Sequence, residues 1–284
     1  MKITVVGAGL MGRGIAYASA FGGYDTTLND VSGTVLEEAN KAIHKVLDTG
    51  LQRGKLDEKA RAETLTRLEL REDFETSVKD AKLVIEAVPE RIELKCDIFN
   101  KLDRLTSPET ALATNTSSLS VTEIAAATNR PDRVIGMHFF NPVPKMKLVE
   151  IIRGLDTSDV TFELVETVAL KMGKETVDVR ESPGFVTSRV NAVIGNEAFY
   201  MLQEGVASAR DIDKALKLGL NHPMGPFEMV DLVGLDTRLG VLDYLHERLG
   251  EKYRPCPLLV QYVKAGRLGR KVGRGVYDYD DADS

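Results

Sequence analysis

His138 closes the strand-like run Val134 to Met137, and Glu150 lies twelve residues further on in a second such run, with Pro142 and Pro144 between them. Folding the chain back at the prolines, about Pro144, predicts an antiparallel pairing that sets His138 beside Glu150. An imidazole, with an ordinary pKa near ~6.5, takes or gives a proton at neutral pH, and a neighbouring carboxylate fixes its tautomer and favours its charged form. A base positioned in this way contributes about 10²–10⁴-fold to a rate. Spacing alone leaves a second reading open, in which His138 is a hydrogen-bonded core histidine and Glu150 a solvated charge on a strand.

A second constellation opens the chain. Gly7-Ala8-Gly9-Leu10-Met11-Gly12 follows a first strand directly and starts a helix, with Gly14 available for close packing. In that setting Gly7 permits a tight turn, Gly9 lets a pyrophosphate approach the backbone, and Gly12 lets the helix lie against the strand. Asp30 ends the second strand candidate, where a carboxylate can accept hydrogen bonds from adenosine ribose hydroxyls. A 2′-phosphate would be repelled there and no arginine follows to receive it, so the motif favours NAD over NADP. The alternatives are a ligand-free strand-helix turn with a helix-capping aspartate, or one of the FAD and S-adenosyl ligands that use related turns.

The elements that must carry these groups follow from the pattern around them. Short β-branched runs at Ile3 to Val6, Thr26 to Leu28, Leu83 to Ala87, Ala111 to Thr114 and Val134 to Met137 alternate with helical stretches. This alternation predicts an α/β fold, a doubly wound, Rossmann-type, mostly parallel sheet covered by helices. Between about 32 and 66 the periodicity is helical but broken at Gly50 and at Gly54-Lys55-Leu56-Asp57, which predicts two helices joined by a turn. That segment is too long for a simple crossover; it is either a protruding helical hairpin that reaches a substrate or a mere insertion. Near Ser182 the character changes, and helical stretches follow from about Phe185 to Gln203, Ala209 to Leu218, Phe227 to Leu232, Asp236 to Leu249 and Pro257 to Ala265. The expected domains are therefore 1–181, which binds the dinucleotide, and 182–284, which is all-helical. The tail after Tyr279, DDADS, is acidic and expected to be disordered.

Composition limits the function classes. The 284 residues are 43% hydrophobic and 28% charged, with a formal net charge of −6, which is an ordinary globular balance and lacks the basic excess of a nucleic-acid or anionic-membrane binder. No run approaches the ~20 apolar residues of a membrane span. The N-terminal apolar run enters a glycine turn too soon for a signal peptide, so the expected location is cytoplasmic. Cys96 and Cys256 are far apart and without neighbouring cysteines. They are expected as buried thiols in a reducing compartment, with neither a disulfide framework nor a metal site.

Several segments together resemble one family. VVGAGLMGRGIA, VIEAVPE, TNTSSLSV, HFFNPVPKMKLVE, SPGFV, HPMGPFEMVDLVGLD and GRKVGRGVYDY are similar, in family order and over nearly the whole chain, to the L-3-hydroxyacyl-CoA dehydrogenases, and most of all to the short bacterial 3-hydroxybutyryl-CoA dehydrogenases. The resemblance implies reversible, NAD-dependent oxidation of an L-3-hydroxyacyl-CoA, of short chain length, to the 3-oxoacyl-CoA, in fatty-acid or butyrate metabolism. It makes His138 the catalytic base, Glu150 its partner, and Ser117 a hydrogen-bonding group near the substrate hydroxyl and the nicotinamide. It also assigns dinucleotide contacts to Glu90, Lys95, Asn141 and Lys271, and implies a homodimer formed by the helical domain.

Each of these assignments has a plainer counterpart. Ser117 could cap the helix that starts near Ser120, although Ser118 or Ser120 can do the same; Glu90 and Lys95 suit the first turns of an exposed helix. Arg53 and Lys55 sit in the helical hairpin that contributes to CoA binding in similar enzymes, where basic side chains meet phosphates, or else at a solvated helix end. His44, His222 and His246 have no partner pattern and default to structural or solvent-facing roles. The chain departs from the family at Ser188, where many members read asparagine before the arginine of P-G-F-V-x-N-R. Either Ser188 acts on substrate through water, or Asn191 compensates one turn later, or substrate preference differs. Two other functions remain open at this point: a dehydrogenase of a non-CoA hydroxy acid, and a catalytically silent NAD-binding protein.

Overall fold

A computed structural model describes residues 1–279, and their contacts divide the chain into two compact units, Met1–Ser182 and Pro183–Ser284. The acidic tail after Tyr279 lies outside the described residues.

The first unit is built on one eight-stranded sheet. Its strands are β1 (Lys2–Val6), β2 (Asp25–Asn29), β3 (Leu68–Arg71), β4 (Leu83–Glu86), β5 (Ala111–Thr114), β6 (Val134–Phe139), β7 (Leu148–Arg153) and β8 (Glu175–Arg180). Their spatial order is β3-β2-β1-β4-β5-β6-β7-β8. Every neighbouring pair is parallel except β6 and β7. The central strands are buried on both faces, and so read as apolar runs in the sequence. The two edge strands, β3 and β8, escape the sequence pattern because they are half-exposed or alternate weakly and give no continuous apolar run.

The chain leaves β1 and turns back for β2, then returns across β1 to β4, so the winding direction reverses between β1 and β4. Open parallel sheets bind ligands outside the carboxyl ends of their strands at such a point. Helix α1 (Leu10–Phe21) starts there. Gly12 is required for the close fit of helix to strand, since a Cβ on it would lie 1.7 Å from the Gly7 carbonyl oxygen.

Helices α2 (Gly33–Gln52) and α3 (Glu58–Thr66) form the expected pair, each started by a side chain that accepts from a backbone amide, Ser32 for α2 and Asp57 for α3. α2 does not stand away from the domain. Leu36, Ala39, Ile43 and Leu47, spaced to share one face, are buried in the main core together with Ile3, Val5 and Ile15. The turn beyond α2 is the part left exposed. The remaining helices of this unit, α4 (Phe74–Val78), α5 (Ile92–Leu105), α6 (Val121–Ala126) and α7 (Asp159–Lys171), connect the later strands.

The second unit consists of α8 (Thr187–Gln203), α9 (Ala209–Gly219), α10 (Pro226–Val233), α11 (Leu235–Leu249) and α12 (Pro257–Lys264) around a core that includes Phe199, Phe227, Leu242 and Leu259. Phe185 is not helical as the sequence pattern implied: Gly184 and Phe185 both have positive φ, and α8 begins only at Thr187. Two buried aspartates fasten the end of the chain. Asp213 accepts from the amides of Phe227 and Glu228 and from the Tyr277 hydroxyl, and Asp231 accepts from the amides of Val276 and Tyr277 and from the Tyr279 hydroxyl. Burial pushes the Asp213 carboxyl above the usual carboxylate range. Cys256 is buried but Cys96 is only half-buried, which departs from the sequence expectation because Cys96 sits in the part-exposed early portion of α5.

The Gly12 fit is open to measurement. Gly12→Ala should cost about 1–3 kcal/mol through forced displacement of α1, which for a unit of this size lowers Tm by roughly 2–12 °C. An unchanged melting profile would show that α1 has slack that the geometry denies.

Candidate active site

The register of β6 and β7 decides the central pair. His138 lies directly opposite Glu150, and the His138 Nδ1 is 2.7 Å from the Glu150 Oε2. Glu150 is fully buried and His138 nearly so. A carboxylate so enclosed must be hydrogen-bonded to be tolerable, and here the imidazole provides a partner. Engagement of Nδ1 by Glu150 fixes the ring orientation and turns Nε2 away from the carboxylate. Phe140 packs on the imidazole with ring centroids 4.5 Å apart. Asn115, at the end of β5, accepts from the Phe139 amide at 2.9 Å and ties the neighbouring strand end to this one.

The loop between β6 and β7 is pinned from two sides. Val143 is buried against Gly14 of α1, where a Cβ would lie 2.9 Å from the valine Cβ. From below, the buried Lys174 ammonium donates to the carbonyls of Val143 and Met146 at 2.5 and 2.8 Å. Burial pushes the pKa of Lys174 down. Asn141 stands exposed on this loop.

The glycine turn has the space that a dinucleotide needs. Gly7 adopts φ +97°, and a Cβ there would meet the Ala87 carbonyl oxygen at 2.8 Å, so β1 and the end of β4 approach as only glycine allows. A Cβ on Gly9 would meet nothing within 4 Å. Gly9 is also the N-cap of α1 and no side chain caps the helix, so the amides that open α1, among them those of Leu10 and Met11, face a site suited to an anion. Asp30 accepts from the Ala8 amide at 2.8 Å with one oxygen and from the Ser32 amide at 3.1 Å with the other. It thereby fixes the turn to the end of β2, and each oxygen keeps a lone pair for a ribose hydroxyl.

Beyond the turn, the ends of β4 and β5 carry a buried polar chain. Glu86, fully buried, accepts from the Val88 amide, the Lys95 ammonium and the Thr114 hydroxyl, each at 2.7 Å. Lys95 also pairs with Glu90 at 3.3 Å, and Glu90 accepts from the Thr116 hydroxyl at 2.5 Å and the Ser117 amide at 2.8 Å. Lys95 is therefore not on a solvated helix face: its side chain is 1% exposed and its ammonium is shared by two carboxylates. Ser117 is exposed, and the cap of α6 comes from Ser120 instead. Glu86 and Thr116 were not singled out by the sequence. The available signal was an acid closing the apolar run LVIE, where a strand buried on both faces has no place for an unpaired charge.

A cavity of about 580 Å³ lies between α1, α2 and the β6–β7 loop. Arg13, Lys45, Arg53, Lys55 and Lys145 line it together with Asn141, and among the described residues no acidic one does. Arg53 and Lys55 thus share one cavity wall. Ser188 and Lys271 belong to the second unit, Ser188 in the first turn of α8 and Lys271 paired with Asp236 at 2.6 Å. Among the other histidines, His246 pairs with Glu251 at the surface.

A glycine turn with room for a dinucleotide and a buried histidine–carboxylate pair, both at carboxyl ends of parallel strands, fit a nicotinamide-dependent dehydrogenase. Residues 2–182 match the family model of the 3-hydroxyacyl-CoA dehydrogenase NAD binding domain, and residues 184–279 that of the 3-hydroxyacyl-CoA dehydrogenase C-terminal domain. The chain is 50% identical over 284 residues to a probable 3-hydroxybutyryl-CoA dehydrogenase of Bacillus subtilis, covering 100% of this chain and 99% of the relative. It is 46% identical to the 3-hydroxybutyryl-CoA dehydrogenase of Bradyrhizobium diazoefficiens, covering 99% of this chain and 96% of that one. The crystal structure of (S)-3-hydroxybutyryl-CoA dehydrogenase from Ralstonia eutropha superposes with a TM-score of 0.96 at 44% identity, covering 99% of each chain. The chain belongs to the 3-hydroxyacyl-CoA dehydrogenase family and is an NAD-dependent enzyme. The expected enzyme is thereby borne out, and the alternative of a catalytically silent NAD-binding protein falls away.

The Lys174 clamp gives a test of how the loop is held. Lys174→Met leaves two carbonyls without their donor, and should cost about 1–3 kcal/mol in urea unfolding. Unaltered stability would mean that the Val143 packing alone holds the loop.

Proposed function

We propose that this protein catalyses the reversible oxidation of a short-chain L-3-hydroxyacyl-CoA, of the 3-hydroxybutyryl-CoA type, to the 3-oxoacyl-CoA. The observation that carries the reading is the His138–Glu150 pair, in register across β6 and β7 and buried at 2.7 Å. His138 takes the proton of the 3-hydroxyl group through Nε2 in oxidation and returns it in reduction. Glu150 holds the ring in the tautomer that exposes this nitrogen and stabilises the imidazolium that forms. Ser117 positions the reacting oxygen, its backbone anchored by Glu90. A bound NAD would supply the hydride acceptor, so that alcohol and NAD⁺ balance ketone, NADH and the proton that His138 takes.

The family position of the dinucleotide contacts and the geometry support one another. Gly7, Gly9 and Gly12 shape the pyrophosphate site with the amides of Leu10 and Met11, Asp30 receives the adenosine ribose, and Glu90 and Asn141 bind nearer the nicotinamide. Lys95 serves through Glu90, and Lys271 is a dinucleotide contact by its family position. Arg53 and Lys55, in a cavity that among the described residues has five cationic side chains and no acidic one, suit the phosphates of CoA. Ser188 bears on the acyl group in place of the more usual asparagine. The helical unit forms a homodimer, and the enzyme works in the cytoplasm.

Two measurements test this assignment. His138→Ala should lower kcat by at least about 10² while NADH binding, followed by fluorescence, stays near that of the parent; turnover within a few-fold of the parent would remove His138 from its role. With 3-oxoacyl-CoA substrates of increasing chain length, NADH oxidation should be fastest at acetoacetyl-CoA and negligible with free acetoacetate, and Arg53→Ala should raise KM for acyl-CoA by about tenfold, as expected for loss of one charged phosphate contact. Equal rates with acetoacetate would favour a dehydrogenase of free hydroxy acids.

A further inference from the structure

We propose that Glu86, through the net charge of the buried cluster that it anchors, makes the cofactor site favour the oxidised dinucleotide over the reduced one. The strand order places the relevant groups in sequence along one edge of the sheet. Asp30 follows β2, the glycine turn follows β1, Glu86 ends β4, Thr114 to Ser117 end and follow β5, and His138 lies near the end of β6. Neighbouring strands are about 4.8 Å apart. A dinucleotide anchored at Asp30 and on the turn can present its reacting end to His138 only by passing over the ends of β4 and β5. The inference rests on the proposed function for that last step, since it takes His138 as the end point.

Under this path lie two carboxylates and one ammonium. Glu86 and Lys95 are fully buried, and Glu90 completes the cluster at its surface. Among the described residues Lys95 is the one cation paired with either carboxylate, so the formal charge of the group is −1. The hydrogen bonds from Thr114 and the Val88 amide hold Glu86 in place and satisfy its oxygens without adding charge. An oxidised nicotinamide ring carries a positive charge that the reduced ring lacks, while the rest of the two cofactor forms is the same. A fixed negative charge in a poorly solvated place therefore stabilises one form selectively, by about tenfold in the ratio of affinities for a unit charge within ~10 Å. The separation of Glu86 from solvent protects this effect from salt.

The test is to measure Kd for NADH by fluorescence titration, and for NAD⁺ and ADP-ribose by calorimetry. ADP-ribose shares the adenosine, pyrophosphate and second ribose but has no nicotinamide. Glu86→Gln, nearly isosteric, brings the formal charge to zero, and should raise the ratio of Kd(NAD⁺) to Kd(NADH) about tenfold while leaving ADP-ribose binding unchanged. Adding Lys95→Gln to that variant restores the charge of −1 and should return the ratio towards the parent value, which mere repair of packing would not do. If Glu86→Gln fails to fold, Lys95→Gln alone, with a formal charge of −2, should lower the ratio. An unchanged ratio in the folded variants, or a parallel loss of all three ligands, overturns the proposal. Failure to turn over any 3-oxoacyl-CoA would instead overturn the proposed function, and the ratios would remain measurable.

Discussion

The active-site half of this molecule depends on the single antiparallel pairing between neighbouring strands of its sheet. β6 and β7 run in opposite directions with His138 facing Glu150, and a one-residue slip of either strand would send its member of the pair to the other face. The buried carboxylate makes that slip costly: away from the imidazole, Glu150 would be a charge enclosed among apolar neighbours such as Val149 and Ile151. Register and chemistry are thus held by the same contact. The loop that joins the strands has little freedom of its own, since Val143 fills the notch at Gly14 and Lys174 holds two of its carbonyls.

Around that pairing, the parallel part of the sheet works as a rail. Along the row β2-β1-β4-β5-β6, the polar groups at or just beyond the carboxyl ends of β2, β4 and β5 are held by hydrogen bonds rather than left to solvent. Asp30 holds the glycine turn, Glu86 and Lys95 join β4 to β5 and to Glu90, Glu90 holds Ser117, and Asn115 holds Phe139. Such connections leave these groups preordered, which lowers the ordering cost of any ligand that binds along them. They also explain why charged residues are found in places that the hydrophobic pattern would assign to the core.

Much of this was legible in the sequence. The six inner strands announce themselves as β-branched or apolar runs because they are covered on both faces, and the glycines announce the turn because no other residue tolerates the contacts at Gly7 and Gly12. The His138–Glu150 pairing was legible because the prolines and the spacing of twelve admit few ways to fold back. The edge strands β3 and β8 were not, since partial exposure erases their pattern. For Lys95 the plainer reading, a solvated helix face, fails for a related reason: helical spacing shows that it lies near a helix start, but not that the carboxylates of Glu86 and Glu90 converge on it from elsewhere in the chain.

By itself, then, the sequence determined the class of fold, the dinucleotide turn, the register of the β6–β7 hairpin and, through the resemblance, the family. These rest on local rules of backbone sterics, strand alternation and short loop closure, which act over a few residues. Tertiary structure alone decided that Glu86, Lys95, Glu90 and Ser117 form one connected chain, that Lys174 supports the loop after His138, and that Arg53 and Lys55 share a cavity with Arg13 and Lys145. Those relations join residues distant along the chain, and a buried charge finds its partner only where the packed strands and helices bring one within hydrogen-bond reach.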